Sequence, residues 1–235
     1  MSCTLKCLFE QLPSDNIADL AALLKQHWHR HGTSQFIVSA DLAIADSLVS
    51  DGSRWQRPRE ENRLKALLSL EVRGEGSEIG ELVPPWPLLG VYSVDSRIVL
   101  SLPPAKQTGA EQRTPGSLQV CLFRLRADMA KADAVDYWRR EHAAIACATQ
   151  STFGYRQHLI RATKTSDSVV YDGLVEEYFP DGALTSAEIL FNAENPDQLA
   201  DHIAKLTDSS SRFIDMTSLF VKHLSEYKID LTTCH

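Results

Sequence analysis

The sequence contains no stretch near the roughly 18 uninterrupted apolar residues that a membrane-spanning helix requires, so no membrane span is expected. It lacks any lysine and arginine run long enough to follow a phosphate backbone. Together with a formal net charge of −7, that excludes nucleic acid as the natural partner. There is no CxxC pair: the five cysteines, Cys3, Cys7, Cys121, Cys147 and Cys234, are odd in number and scattered. Such usage fits free thiols in a reducing cytoplasm, with Cys121 and Cys147 read as buried packing residues from their apolar surroundings. GxGxxG, the P-loop and the GxSxG elbow are all missing, which argues against nucleotide cofactors and serine-hydrolase chemistry. The N-terminal MSCTLKCLFEQLPSDN has a short apolar part followed at once by acidic residues, and does not read as a secretory leader.

What is present is ordinary for a globular chain: 43% hydrophobic and 23% charged residues over 235 positions. That length suits one large domain or two of about 100–120 residues. Residues 103–117, PPAKQTGAEQRTPGS, offer almost nothing to bury and contain a linker, placed at 105–117. The halves on either side, 1–104 and 118–235, echo each other. Cys7-Leu8-Phe9 recurs 114 positions later as Cys121-Leu122-Phe123. The same offset lays the helical stretch Ile17–Trp28 on Lys131–His142, and Phe36-Ile37-Val38 falls near Gly154-Tyr155-Arg156.

The second half has the clearer pattern. LQVCLFRLR (118–126) alternates as a strand, 130–147 carries apolar residues at helical spacing, and 153–160 is extended. VVYDGLVEEYF (169–179) is rich in β-branched and aromatic residues and reads as a strand. Two short helices are expected at 183–192 and 196–207, then a last strand at 219–227, with Asp208-Ser209-Ser210-Ser211 as a flexible turn. In the first half, 64–72 reads as helix or strand and 94–102 as a strand, with a loop around Trp86 between them. The order β-α-β-β-α-β is ferredoxin-like. Its uncovered sheet face would cost roughly 25 cal/mol per Å² of exposed apolar area. The expected fold is therefore α+β, with tandem ferredoxin-like βαββαβ repeats whose antiparallel sheets pack into one barrel. The first copy is the degenerate one. Internal closure permits a monomer, while exposed sheet edges would let two chains pair as a homodimer.

Chemistry concentrates in YWRREH, residues 137–142. His142 shares the core-facing stripe with Trp138, Ile145 and Ala146, and an imidazole of near-neutral pKa there can move protons. On the strand that follows, Tyr155 shares a face with Gln157, and Arg156 with His158; one pair must meet the pocket. A phenol or guanidinium there would stabilise an enolate oxygen. Asp172 and Glu176 share a face, so a carboxylate could orient His142 or act as a second base. Glu177 points the opposite way, beneath the helices, where a salt bridge to Arg139 or Arg140 would satisfy it. His27 and His31 lie one helical turn apart, but no third ligand is near and Gly32 marks a helix end. Cations favour that end, so no metal is expected. In the repeat alignment Trp28 occupies the place of His142, leaving one catalytic and one supporting copy.

YWRREH, followed by the strand Val175-Glu176-Glu177-Tyr178-Phe179 and the segment Arg212-Phe213-Ile214-Asp215, resembles the EthD-like family of dimeric α+β barrels over about residues 118–230. Ala144 stands where that family often has proline. The resemblance implies a cofactor-free lyase or isomerase, doing acid/base proton transfer on a small carbonyl, lactone, aromatic or polyketide-type molecule in the barrel pocket. His142, Glu176 and Tyr155 would be catalytic, and Tyr137, Trp138, Arg156, His158 and Asp172 would bind substrate. Some α+β barrels of this kind hold haem, for which His142 and His158 would be the axial candidates, but no cofactor is expected. The reading from a different class is a non-catalytic protein that sequesters a hydrophobic metabolite.

Overall fold

The computed structural model describes residues 2–49, 63–74, 78–103, 112–165 and 169–231. Cys234 and positions 105–111 of the expected linker lie outside the described residues. The first half runs β1 (Ser2–Phe9), α1 (Ile17–His31), β2 (Ile37–Ile44), β3 (Ala66–Arg73), α2 (Ile79–Leu82), β4 (Leu88–Leu100). A short β5 (Gln112–Arg113) leads to β6 (Ser117–Phe123), α3 (Lys131–Tyr137), a π-helical turn (Trp138–His142) and α4 (Ala143–Thr149). β7 (Gly154–Thr163), β8 (Gly173–Phe179), α5 (Ala187–Leu190), α6 (Pro196–Phe213) and β9 (Phe220–Lys228) complete the described chain.

All strand pairs are antiparallel, in the order β2-β3-β1-β4-β7-β8-β6-β9, and β9 returns to pair with β2. The result is a closed eight-stranded barrel with helices outside it. β5 sits on β9 beside the turn into β6. That turn uses Gly116 at φ +80, where a Cβ would lie 2.0 Å from the Phe179 carbonyl oxygen. Within each half the strands lie in the same spatial order: second, third, first, fourth. The halves join at two seams, β4–β7 and β2–β9. Closure is therefore achieved within one chain: among the described residues each of the eight barrel strands is paired on both sides.

The alternation of each strand decides what goes inside. In β1 the residues Cys7 and Phe9 face α1, whereas Leu8 and Lys6 face the barrel. In β6, Leu118, Val120 and Leu122 join the barrel core, and Phe123 joins the cluster under α3, α4 and α6. Region 64–72, open between helix and strand in the sequence, is β3. Here Leu67 turns inward and Leu68, Leu70 and Val72 turn towards α1, the run being apolar because both faces are covered. Residues 94–102 begin too late: β4 starts at Leu88.

The helices differ from the sequence expectation in two places. Only 187–190 of the segment 183–192 is helical. The run at 208–211 is not a turn, since α6 continues to Phe213. An Arg212–Asp208 ion pair at 2.7 Å and the buried Phe213 ring carry the helix through three serines of modest propensity. Cys147 is exposed on the solvent side of α4 and is not a packing residue; Cys121 is half-buried and Cys7 is the buried one.

Candidate functional site

Helices α3, α4 and α6 lie over the outer face of the second half's sheet. Between them is a cavity of about 450 Å³. Its floor is the helix-facing row of the strands: Tyr155 on β7, Glu177 on β8 and Gln119 on β6, each directly opposite the next. Its roof includes Trp138, His142 and Phe213. The cavity thus lies outside the barrel, between sheet and helices. Gly173 at the start of β8 leaves room for the Phe123 ring, which packs edge-on to Trp138 at 5.1 Å and to Phe213 at 5.7 Å.

His142 is 8% exposed and stands on the π-helical turn, in which the Ala143 N–H reaches back to the Trp138 carbonyl. The extra residue in that turn sets both Trp138 and His142 on the buried side, followed by Ala143 and Ala146 rather than Ile145, which is only half-buried. Burial lowers the His142 pKa to about 4, so the ring is neutral at pH 7. Its Nδ1 lies 3.0 Å from Ser209 Oγ, and Ser209 Oγ lies 3.1 Å from the Tyr137 hydroxyl. Tyr137 does not line the cavity; it reaches the site through that serine and through its ring, 6.0 Å from Phe213.

Glu177 is the carboxylate that the cavity holds. Gln119 Nε2 donates to its Oε2 at 3.1 Å, and no cation pairs with it among the described residues. Burial pushes the carboxyl up to about 7, opposed only by the Gln119 hydrogen bond. The expected bridge to Arg139 or Arg140 does not form. Arg139 pairs with Asp95 at 3.1 Å and Arg140 with Asp136 at 2.9 Å, both away from the floor. Tyr155 is fully buried, receives a hydrogen bond from Gln157 Nε2 at 2.9 Å, and has its phenol pKa raised well above the usual value by burial. Trp138 Nε1 is buried; its N–H faces the Tyr155 phenol oxygen closely enough to lower that group's pKa, but the contact falls short of ordinary hydrogen-bond geometry.

The other sequence candidates lie elsewhere. Glu176, Arg156 and His158 point into the barrel. Glu176 pairs with Lys6, lies 3.3 Å from Arg156 and lies 3.2 Å from His158 Nε2. Burial opposes its ionisation, but Lys6 and its other partners hold its pKa well below the carboxylate range. His158 Nδ1 contacts Ser96 Oγ at 2.8 Å, and burial lowers its pKa to about 4. His158 therefore points into the barrel, with Nδ1 on Ser96 and Nε2 beside Glu176, and does not line the cavity. Arg156 also lies 3.7 Å from Glu226, whose carboxyl burial and Asp41 push up to about 7. Asp172 belongs to neither group: it accepts from Leu125 N at 3.0 Å and pairs with Lys131 at the surface.

Six of the eight candidates therefore fall into two groups. His142, Trp138 and Tyr155 line the cavity, while Glu176, Arg156 and His158 tie the barrel interior. Glu177, Gln119 and Ser209 were missed as site residues. The available signal was alternation: Val175, Glu177 and Phe179 share the face that Cys121 and Phe123 turn towards the helices.

The fold is similar to that of an anthrone oxidase-like protein, with a TM-score of 0.53 at 7% identity over 97% of this chain and 91% of that one. A "putative monooxygenase" from Fusobacterium nucleatum subsp. nucleatum gives 0.46 at 8% identity, over 97% and 92%. Another from Lactobacillus acidophilus gives 0.41 at 10%, over 96% and 93%; scores this low carry no argument. At such identities the likeness extends to the fold alone. No family model and no curated protein matches the chain.

Proposed function

We propose that the cavity is an active site for proton transfer on a small carbonyl, lactone, aromatic or polyketide-type molecule, in the manner of a cofactor-independent lyase or isomerase. Glu177 moves the proton, His142 works with it at the reacting atoms, and Tyr155 assists at the developing oxygen charge. The observation that carries this reading is Glu177: a carboxylate sealed under helices, without a cation, and balanced between protonation states near pH 7. A purely structural acid at such depth would be paired, as its neighbour Glu176 is.

We further infer that the halves 1–104 and 118–235 are tandem ferredoxin-like repeats of EthD-like type, joined through 105–117, with the second copy holding the chemistry. Support comes from the common strand order and from Trp28. That side chain fills the first half's helix–sheet layer at the position of His142 and donates to the Leu82 carbonyl at 2.8 Å.

The test is hydrogen exchange. The protein is incubated in D₂O with a panel of small enolisable ketones, lactones and hydroxyaromatic ketones, and C–H loss is followed by NMR. Catalysed exchange that Glu177→Gln lowers by about 10²–10⁴-fold, with ligand binding retained, is the expected result. Ligand binding without exchange in the wild type would establish the sequestering protein instead.

A further inference from the structure

Three groups stand in a line beside the cavity: the Tyr137 phenol, the Ser209 hydroxyl and His142 Nδ1, at 3.1 and 3.0 Å. Ser209 is 1% exposed, so no solvent competes for its hydroxyl. A hydroxyl has one proton to give, and the line can run in only one direction at a time. The direction follows from acidity. Phenol is the strongest acid of the three, and a neutral imidazole nitrogen is the strongest base. The favoured chain therefore starts at Tyr137 O–H, passes through Ser209 O–H and ends on the Nδ1 lone pair, each link strengthening the next. A neutral imidazole carries one proton. With Nδ1 accepting, that proton is on Nε2, the one ring nitrogen left to meet an occupant of the cavity.

We propose that His142 meets the substrate as an N–H donor rather than as a base, that Glu177 is the sole base, and that Ser209 and Tyr137 are positioning residues that set this tautomer. The proposal rests on the acid/base reading of the cavity and divides the labour within it. The Glu177 carboxylate takes a proton from a carbon next to a carbonyl. The C–H electron pair becomes the new carbon–carbon π bond, and the carbonyl π pair moves onto oxygen. That oxygen is held by His142 Nε2–H, with no proton leaving the ring. Glu177 then returns its proton to another carbon, or to a β-hydroxyl that departs as water. The substrate class narrows accordingly: the molecule must present a carbonyl oxygen to the helix side and an acidic C–H to the sheet side.

Two measurements test it. The first needs no substrate: long-range ¹H–¹⁵N spectra of histidine-labelled protein at pH 7, with His142 assigned by loss of its signals in His142→Gln. The wild type is expected to show Nε2 protonated and Nδ1 as a hydrogen-bonded acceptor. Ser209→Ala should shift Nδ1 towards an unbonded nitrogen, and Ser209→Thr should leave it in place. Tyr137→Phe, which keeps the ring packing, should shift it less in the same direction. A wild-type spectrum with Nδ1 protonated overturns the proposal. The second compares exchange rates. Glutamine can donate but cannot act as a base, so His142→Gln should stay within about 10-fold of wild type. His142→Leu should lose about 10²–10³-fold, as when one oxyanion donor is removed. Equal losses in both variants overturn the proposal. The expected tautomer without exchange on any ketone would leave the positioning assignment standing and sink the catalytic reading alone.

Discussion

Two glutamates sit side by side on β8 and live in opposite worlds. Glu176 points into the barrel and Glu177 out under the helices, because strand side chains alternate. Burial is nearly complete for both, at 0% and 5% exposure. What separates them is company. Glu176 has Lys6, Arg156 and His158 around it and is held ionised. Glu177 has one amide donor and is pushed up to about 7. The barrel interior spends its charges on joining the halves: Lys6 comes from β1 and Glu176 from β8. The cavity leaves its charge unspent. Burial alone, then, does not make an acid functional; burial without compensation does.

The largest effect should come from breaking the compensated side. Lys6→Met strands an ionised carboxylate in the barrel and is expected to lower unfolding free energy by about 3–5 kcal/mol in urea titrations at pH 7. The double variant Lys6→Met with Glu176→Leu should recover most of that loss, since apolar groups of similar volume replace a buried pair at little cost. If the double variant is as unstable as the single one, the pair is not what joins the halves.

Glu177 should behave in the opposite sense. Its folded pKa is raised, so the native state binds this proton more tightly than the unfolded chain. Its presence therefore costs stability progressively as pH rises from about 4.5 to about 7, and the cost is complete above that. Glu177→Gln should accordingly stabilise the protein at pH 8 by about 3 kcal/mol and by little at pH 4, while lowering exchange by about 10²–10⁴-fold. Glu176 carries the reverse slope: its contribution is intact above the ordinary carboxylate value and lost in acid as it protonates. Glu226 also titrates near 7, so Glu226→Gln should give a similar but smaller gain, reduced by losing the Arg156 and Tyr178 contacts. Urea midpoints of each variant against wild type, measured across pH 4–8, separate these contributions.

The comparison also explains how much could be read in advance. Alternation in LQVCLFRLR and VVYDGLVEEYF located β6 and β8. Which face of β8 borders the cavity was not readable, because both faces are buried and polar residues occur on each. Glu177 was assigned to Arg139 or Arg140 by proximity on a helix, whereas Asp95 and Asp136 claim those arginines. Ser209 was hidden by composition. Three successive serines read as a turn, and only tertiary packing of Phe213 against Trp138 and His142 makes them helix.

The smallest expected effect concerns the two tryptophans, one in each helix–sheet layer. Trp28 and Trp138 are both fully buried, and Trp→Phe removes a similar volume from each. They differ at the indole nitrogen. Trp28 Nε1 donates to the Leu82 carbonyl at 2.8 Å, whereas Trp138 Nε1 has only a contact with the Tyr155 phenol oxygen that falls short of hydrogen-bond geometry. Trp28→Phe leaves a buried acceptor unpaired, adding about 1–3 kcal/mol to the packing loss. Trp138→Phe removes a donor whose contact with Tyr155 is weaker than a hydrogen bond. Its stability loss should be smaller than that of Trp28→Phe by about that same amount. In ligand titrations the order should reverse: Trp138→Phe weakens binding of an acceptor-bearing ligand, while Trp28→Phe leaves it unchanged. Equal stability losses with no change in binding for either variant would mean that the Trp138 N–H is not reserved for an occupant, and that the two layers differ less than their glutamates imply.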